Sequence, residues 1–340
     1  MTKITEYLEI LLEGGDLKYE QAKDLLDTVF KGDVAEVQIT AFLAAMRMKK
    51  AVAAEFAGLA QSLRDHAVKV KTKIPNLIDT CGTGGAPLKT FNVSTASALI
   101  AAGAGAYVAK HGNRGITSRC GSADVLEAMG VKIDCSPELV AECIENAHIG
   151  FMFAPMYHPA MKFVQPIRKS LDFSTAFNIL GPLANPAGAQ AQVMGVPHES
   201  LLDRIAETFK ILGLKRAMIV HGSGLDEISI TSITKVVELK DGKITSYQIN
   251  PEDFAISSPK MAELVGSNAE YNAGLIKDVL SGRNKGPARD MVLLNAAAAI
   301  MVADLADDLQ QGFKKAAEAI DSGAAMECLE KFIEISNRKK

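Results

Sequence analysis

The segment Asp79-Thr-Cys-Gly-Thr-Gly-Gly85 narrows the possible folds more than any other part of the chain. A short apolar run at 76–80 reads as a strand, and it runs directly into Gly82, Gly84 and Gly85. Glycines let backbone N–H groups approach an anion with no side chain in the way. Thr90-Phe-Asn-Val-Ser-Thr95 follows, and the pattern predicts a capped helix over 94–104. The start of a helix adds its own N–H groups and positive dipole end. Thr83, Thr90, Asn92, Ser94 and Thr95 put short hydrogen-bonding side chains at the same place. Strand, glycine turn and helix together predict a cradle for phosphate or pyrophosphate. No G-x-x-x-x-G-K-[ST] is present, and Pro87 spoils G-x-G-x-x-G, so neither a nucleotide P-loop nor a dinucleotide fingerprint is read.

Elsewhere the periodicity changes from one region to another. The first 66 or so residues carry four helical stripes, among them Tyr7, Leu8 and Leu11, then Leu25, Leu26 and Val29. Beyond Pro75 strands and helices alternate. Strands are expected at 106–109, 191–196 and 217–220, with a hairpin of 236–239 and 244–247 turning at Asp241-Gly242. Helices are expected at 122–129, closed by Gly130, and from Pro137 behind a Ser136 cap to about Asn146. Others are expected from Leu202 to Gly213 and over the alanine-rich last 50 residues. Residues 154–188 hold five prolines and read as an irregular, functional segment or domain connection. The fold class is α/β, with a small all-helical domain and a largely parallel sheet.

Three further segments suggest chemistry. Lys110-His-Gly-Asn-Arg114, continuing to Ser122, follows a buried strand; Lys110 and Arg114 can neutralise phosphate, and Ser118, Arg119 and Ser122 can donate to it. His221-Gly-Ser-Gly-Leu-Asp-Glu227 follows another, and its adjacent carboxylates suit Mg²⁺ completed by water and substrate phosphate. In the proline-rich segment, Arg168 can grip a carboxylate with two prongs, and Leu180-Gly181-Pro182 can form an apolar wall for an aromatic ring; taken alone, His158 reads as a structural histidine.

Composition removes other classes. A net charge of −3 gives no basic field for nucleic acid. No apolar run approaches a membrane span, and no signal peptide is read, so a cytoplasmic protein without membrane contact is expected. Five cysteines without a C-x-x-C pair suit a reducing compartment and argue against zinc.

In their order and spacing the motifs resemble those of the anthranilate phosphoribosyltransferase family over nearly the whole chain. They are G-T-G-G, N-x-S-T-A, K-H-G-N-R, H-P-A-M-K to Arg168, F-N-x-L-G-P-L-x-N-P and H-G-x-G-x-D-E. The resemblance implies transfer of a phosphoribosyl group from phosphoribosyl pyrophosphate to the amine of anthranilate, a step of tryptophan biosynthesis. It implies a nucleoside phosphorylase/phosphoribosyltransferase-like fold. The small helical domain would be 1–70 plus about 163–188, hinged to a large α/β domain of 71–162 and 189–340. A homodimer through the helical part is expected. Phosphoribosyl pyrophosphate would meet Gly82, Thr83, Gly84, Gly85, Thr90, Asn92, Val93, Ser94 and Thr95 on one side. On the other it would meet Lys110, His111, Gly112, Asn113, Arg114, Gly115, Ile116, Thr117, Ser118 and Ser122. Anthranilate would meet Gly82, His111, Asn113, His158, Arg168 and Pro182. Mg²⁺ would be held by Ser94, Asp226 and Glu227. Lys110, Asn113 and Arg168 would carry the catalysis. The chain departs from the family pattern at Ala86, where aspartate is usual, and at Ser174, where a second arginine often stands. A pyrimidine nucleoside phosphorylase and a non-catalytic nucleic-acid-binding relative are the alternatives.

Overall fold

The computed structural model describes residues 2–115 and 119–338. Four helices open the chain: α1 (Lys3–Leu12), α2 (Tyr19–Lys31), α3 (Glu36–Lys49) and α4 (Ala53–Asp65). The last three start alike. A side chain in the first turn accepts from the N-terminal boundary N–H: Gln21 from Lys18, Gln38 from Ala35, and Glu55 from Val52. Their apolar stripes meet in one core, where Leu25, Leu26, Leu43 and Leu59 are at most 1% exposed.

The remainder alternates as β1 (Leu77–Gly82), α5 (Val93–Gly103), β2 (Tyr107–Gly112), α6 (Ser122–Met129), α7 (Pro137–Ala147) and β3 (Ile149–Phe153). Then come α8 (Ala154–Tyr157), α9 (Gln165–Leu171) and α10 (Phe177–Leu183), followed by β4 (Ala191–Gly195), α11 (Leu202–Ile211) and β5 (Arg216–His221). The hairpin β6 (Thr234–Lys240) and β7 (Lys243–Ile249) precedes α12 (Ala269–Leu280), α13 (Pro287–Val302), α14 (Leu309–Asp321) and α15 (Ala324–Ser336). Among the described residues the sheet runs β3-β2-β1-β4-β5-β6-β7. The first five strands are parallel, and β6 and β7 are antiparallel. Asp241 (φ 48°) and Gly242 (φ 78°) make the tight turn of the hairpin, as two left-handed residues must.

The order has one functional consequence. From β1 the chain steps to β2 and β3 on one side, then returns to place β4 and β5 on the other. Ligands of open α/β sheets bind at the carboxyl ends of the strands, where the order reverses. That point lies between Gly82, ending β1, and Gly195, ending β4.

Two expectations change. Residues 154–188 are largely helical rather than irregular: Pro155, Pro159 and Pro166 stand in the first turns of short helices, where a missing N–H is harmless. Strand β3 was not expected. His148 in the left-handed conformation ends α7, so neither glycine nor proline marks where the strand begins. The core of the helical part also runs on beneath the sheet, through Ile205 and Phe209 of α11 to Ile219 and Leu239. No helix among the described residues is long and apolar enough to cross a membrane.

Candidate active site

One cavity of about 620 Å³ opens at the reversal point. Gly84 (φ 71°) and Gly85 (φ 79°) form its rim in a conformation other residues rarely adopt. Helix α5 points its start into the cavity, and no side chain caps it, contrary to the expected cap. The Thr95 and Ala96 N–H groups donate to the Asn92 carbonyl, so the helix meets an anion with its positive dipole end and the Thr95 hydroxyl. Thr95 Oγ1 is buried there without a hydrogen-bond partner among the described residues. Ser94 lines the cavity, but Val93 does not. The Val93 side chain is wholly buried, and its N–H is used by the Phe91 carbonyl at 2.7 Å. Asn92 is a brace, donating to the Cys120 carbonyl (3.1 Å) and accepting from Asn272 (2.9 Å).

Asp226 and Glu227 reach the cradle from the loop after β5. Asp226 accepts from the Gly84 N–H at 2.8 Å, and Glu227 accepts from the Thr90 hydroxyl at 3.0 and 2.8 Å. Their approach explains two glycines. A Cβ on Gly82 would stand 2.4 Å from Asp226 Oδ2, and one on Gly195 would stand 1.6 Å from the Asp226 carbonyl oxygen. Burial raises both carboxyls, and the Asp226 charge pushes Glu227 further, to about 8. Neither forms an ion pair among the described residues. Two half-buried carboxylates with no ion pair among the described residues, beside a serine hydroxyl and an anion cradle, are a donor set that fits a hard divalent ion.

Lys110 lies in the floor, 1% exposed. Its Nζ donates to the Thr80 carbonyl at 2.6 Å and to Ser94 Oγ at 3.4 Å. Asp79 lies near it, accepting from Asn185 and from the Thr80 N–H at 2.8 Å each. Burial outweighs their attraction, so Lys110 is lowered and Asp79 is raised to about 6. Thr83 joins the cradle to β4 through its N–H and the Gly195 carbonyl at 3.0 Å.

Gly112, Asn113, Arg114, Gly115 and Ser122 also line the cavity, whereas Ile116, Thr117 and Ser118 lie outside the described residues. The Arg114 charge is not free for phosphate. It pairs with Asp124 (3.0 Å) and Glu127 (2.8 Å), while Asp124 also accepts from Gly115 and Gly121. Ser122 donates to the Asn113 carbonyl at 3.3 Å, and Asn113 Oδ1 accepts from the Arg114 N–H at 2.8 Å.

His111, His158, Arg168 and Pro182 line the same cavity. Arg168 makes only long hydrogen bonds, to Gln165 (3.3 Å) and Asn178 (3.4 Å), and lies over the Phe177 ring at 5.5 Å. Burial lowers it, and no carboxylate pairs with it among the described residues.

The same architecture occurs in known proteins. The sequence matches the glycosyl transferase family, helical bundle domain, over residues 5–67 and the a/b domain of that family over residues 74–326. It is 49% identical to the anthranilate phosphoribosyltransferase of Methanocorpusculum labreanum over 337 residues, 99% of each chain. This chain belongs to the anthranilate phosphoribosyltransferase family. The Thermus thermophilus anthranilate phosphoribosyltransferase structure superposes with a TM-score of 0.92 at 38% identity, covering 97% of this chain and 99% of that one. The Saccharomyces cerevisiae enzyme in complex with PRPP and Mg gives 0.88 at 29% identity, covering 98% and 97%.

Against the anthranilate phosphoribosyltransferase pattern, Ala86 is 2% exposed and brings no carboxylate to the cradle. Arg47 of α3 donates to the Ser174 carbonyl and lies 5.1 Å from the Phe173 ring. A guanidinium thus pins this loop from another helix.

The His111 and His158 rings meet at a tilt, 55° between planes, with centroids 5.0 Å apart. Burial lowers His111 to about 3 and His158 to about 4, the neighbouring charges of His158 and Lys69 respectively assisting. His111 Nδ1 contacts the Gly181 carbonyl at 3.2 Å, and Nε2 has no hydrogen-bond partner among the described residues. A histidine held below its usual value contributes stability above the unfolded value of 6.5, which is lost as pH falls towards the folded value. Wild type should therefore lose about 2 kcal/mol relative to His158→Gln between pH 7 and pH 5. Parallel urea-melt profiles for the two proteins would contradict this.

Some cavity residues escaped the sequence reading. Lys89, Met161, Gln165 and Asn178 all line the cavity, and so does Leu63 of α4. Asn178 accepts from the Thr175 N–H at 3.0 Å, so its amide is fixed beside Arg168. It stands within F-N-x-L-G-P, next to a recognised position. Leu63 shares its signal with ordinary core residues.

Proposed function

We propose that this chain transfers the phosphoribosyl group of phosphoribosyl pyrophosphate to the amine of anthranilate, releasing pyrophosphate. One observation carries the reading. One cavity is lined both by an anion cradle with an acid pair and by an arginine that has no carboxylate partner among the described residues. Donor and acceptor each bring a matching anion, pyrophosphate to the cradle and carboxylate to Arg168.

In this reading the pyrophosphate lies on the Gly84–Gly85 rim and the start of α5, with Thr95 Oγ1 finding its partner there. Lys110 supplies positive charge from the floor as the ribose–oxygen bond breaks. Ser94, Asp226 and Glu227 would hold Mg²⁺, which when bound would supply positive charge to the pyrophosphate leaving group. Asn113 and Arg168 orient anthranilate so that its nitrogen faces the ribose carbon. The new carbon–nitrogen bond replaces the broken one, and the amine gives up one proton. Pro182 and the neutral His111–His158 pair line the approach and keep it dry. A homodimer fits the exposed apolar side chains of the helical part, Leu12 (65%), Val37 (75%) and Met48 (85%).

Mixing the protein with anthranilate, phosphoribosyl pyrophosphate and Mg²⁺ should abolish anthranilate fluorescence. The loss should need both phosphoribosyl pyrophosphate and metal. If fluorescence persists across a wide range of Mg²⁺, the acceptor is wrong, and phosphorolysis of pyrimidine nucleosides becomes the reading to test.

A further inference from the structure

Lys89 lies on the cavity wall between the glycine rim and the acid pair, and none of the motifs assigns it a task. Its backbone is fixed from both sides. The Leu88 N–H donates to the Gly224 carbonyl at 3.3 Å, and the Thr90 hydroxyl donates to Glu227. Both anchors belong to the loop that carries Asp226 and Glu227. The side chain itself is half-buried and makes no hydrogen bond or ion pair among the described residues. At position 86 a buried alanine offers no carboxylate to compete for it.

A tethered stem with an unpartnered ammonium, facing a cavity built for an anion, has three donors available. We propose that Lys89 is a further ligand of the pyrophosphate group, taking its oxygens on the side of the cradle next to Asp226 and Glu227. The inference rests on the phosphoribosyl-transfer reading. It adds a cation from the protein itself to a site otherwise dependent on Lys110 and the metal.

The test is calorimetric titration of inorganic pyrophosphate into wild type, Lys89→Gln and Lys89→Arg, with and without Mg²⁺, alongside steady-state kinetics. Loss of one charge-assisted contact should weaken pyrophosphate binding about tenfold in Lys89→Gln and raise KM for phosphoribosyl pyrophosphate similarly. Lys89→Arg should recover most of the affinity, and KM for anthranilate should not change. Equal pyrophosphate affinity in wild type and Lys89→Gln would overturn the role of Lys89 and leave the function standing. A parallel loss of affinity for both substrates would also overturn it, marking Lys89 as structural. A wild type that neither binds pyrophosphate nor consumes anthranilate would remove the function and the inference together.

Discussion

Replacing Asp226 and Glu227 together by alanine should lower turnover by a factor of about 10³, because the pair's task is to concentrate positive charge where negative charge develops. The structural reason is the desolvation of the pair. Moving a carboxylate out of water is costly unless a cation accompanies it. Here two adjacent half-buried carboxylates are supported by the Gly84 and Asp226 N–H groups, the Thr90 hydroxyl and the nearby charges of Lys89 and His221, without an ion pair among the described residues. Such an arrangement favours the arrival of further positive charge from outside. The fold also keeps glycine at 82 and 195 to admit Asp226.

The same argument supplies a control. Glu227 is raised from 4.5 to about 8, so its favourable contribution is full below about 4.5 and is lost as pH rises through 8. In metal-free buffer at pH 9 the double variant should therefore be no less stable than wild type. Lost turnover with an unchanged or higher Tm supports the assignment. Near-normal turnover at limiting Mg²⁺ would refute it, and so would a fall in Tm large enough to unfold the variant.

How well the sequence announced these features depended on the range of the interactions involved. Gly84 and Gly85 were legible because a left-handed backbone selects glycine locally. The hairpin turn at Asp241-Gly242 was legible for the same reason. The α7–β3 boundary was hidden because His148 adopts the left-handed conformation without being glycine, so its signal lies in tertiary contacts. Prolines mark chain breaks in sequence, but they equally suit first turns of helices, and only packing distinguishes the two in 154–188. Within the site, residue type was readable but allegiance was not. Arg114 and Lys110 are both cations in one motif, yet Arg114 is held by Asp124 and Glu127 while Lys110 lies under the cradle. Asn92 resembles a phosphate ligand in sequence and spends its side chain bridging Cys120 and Asn272. Those partners lie 28 and 180 residues away along the chain.

Arg168→Ala should raise the anthranilate concentration needed for half-maximal rate by about 10²-fold, two charge-assisted hydrogen bonds being lost at roughly 1.5 kcal/mol each. The requirement for phosphoribosyl pyrophosphate should stay within about twofold, since none of the Arg168 side-chain contacts is with the cradle, which loses no partner. The asymmetry follows from the free state of Arg168. A half-buried guanidinium commonly pairs with a carboxylate, but among the described residues this side chain has two long hydrogen bonds and a ring face. Arg168→Lys should recover little, because an ammonium cannot match both oxygens of a planar carboxylate. Aniline offers the same amine without the carboxylate, so it separates orientation from chemistry. Wild type should strongly prefer anthranilate over aniline, and Arg168→Ala should lose most of that preference. A pyrimidine base offers Arg168 only neutral carbonyl oxygens, not a carboxylate, so it would not reproduce the anthranilate-over-aniline preference. Unchanged anthranilate dependence in Arg168→Ala would thus count against the aromatic-acid acceptor as well as against the residue.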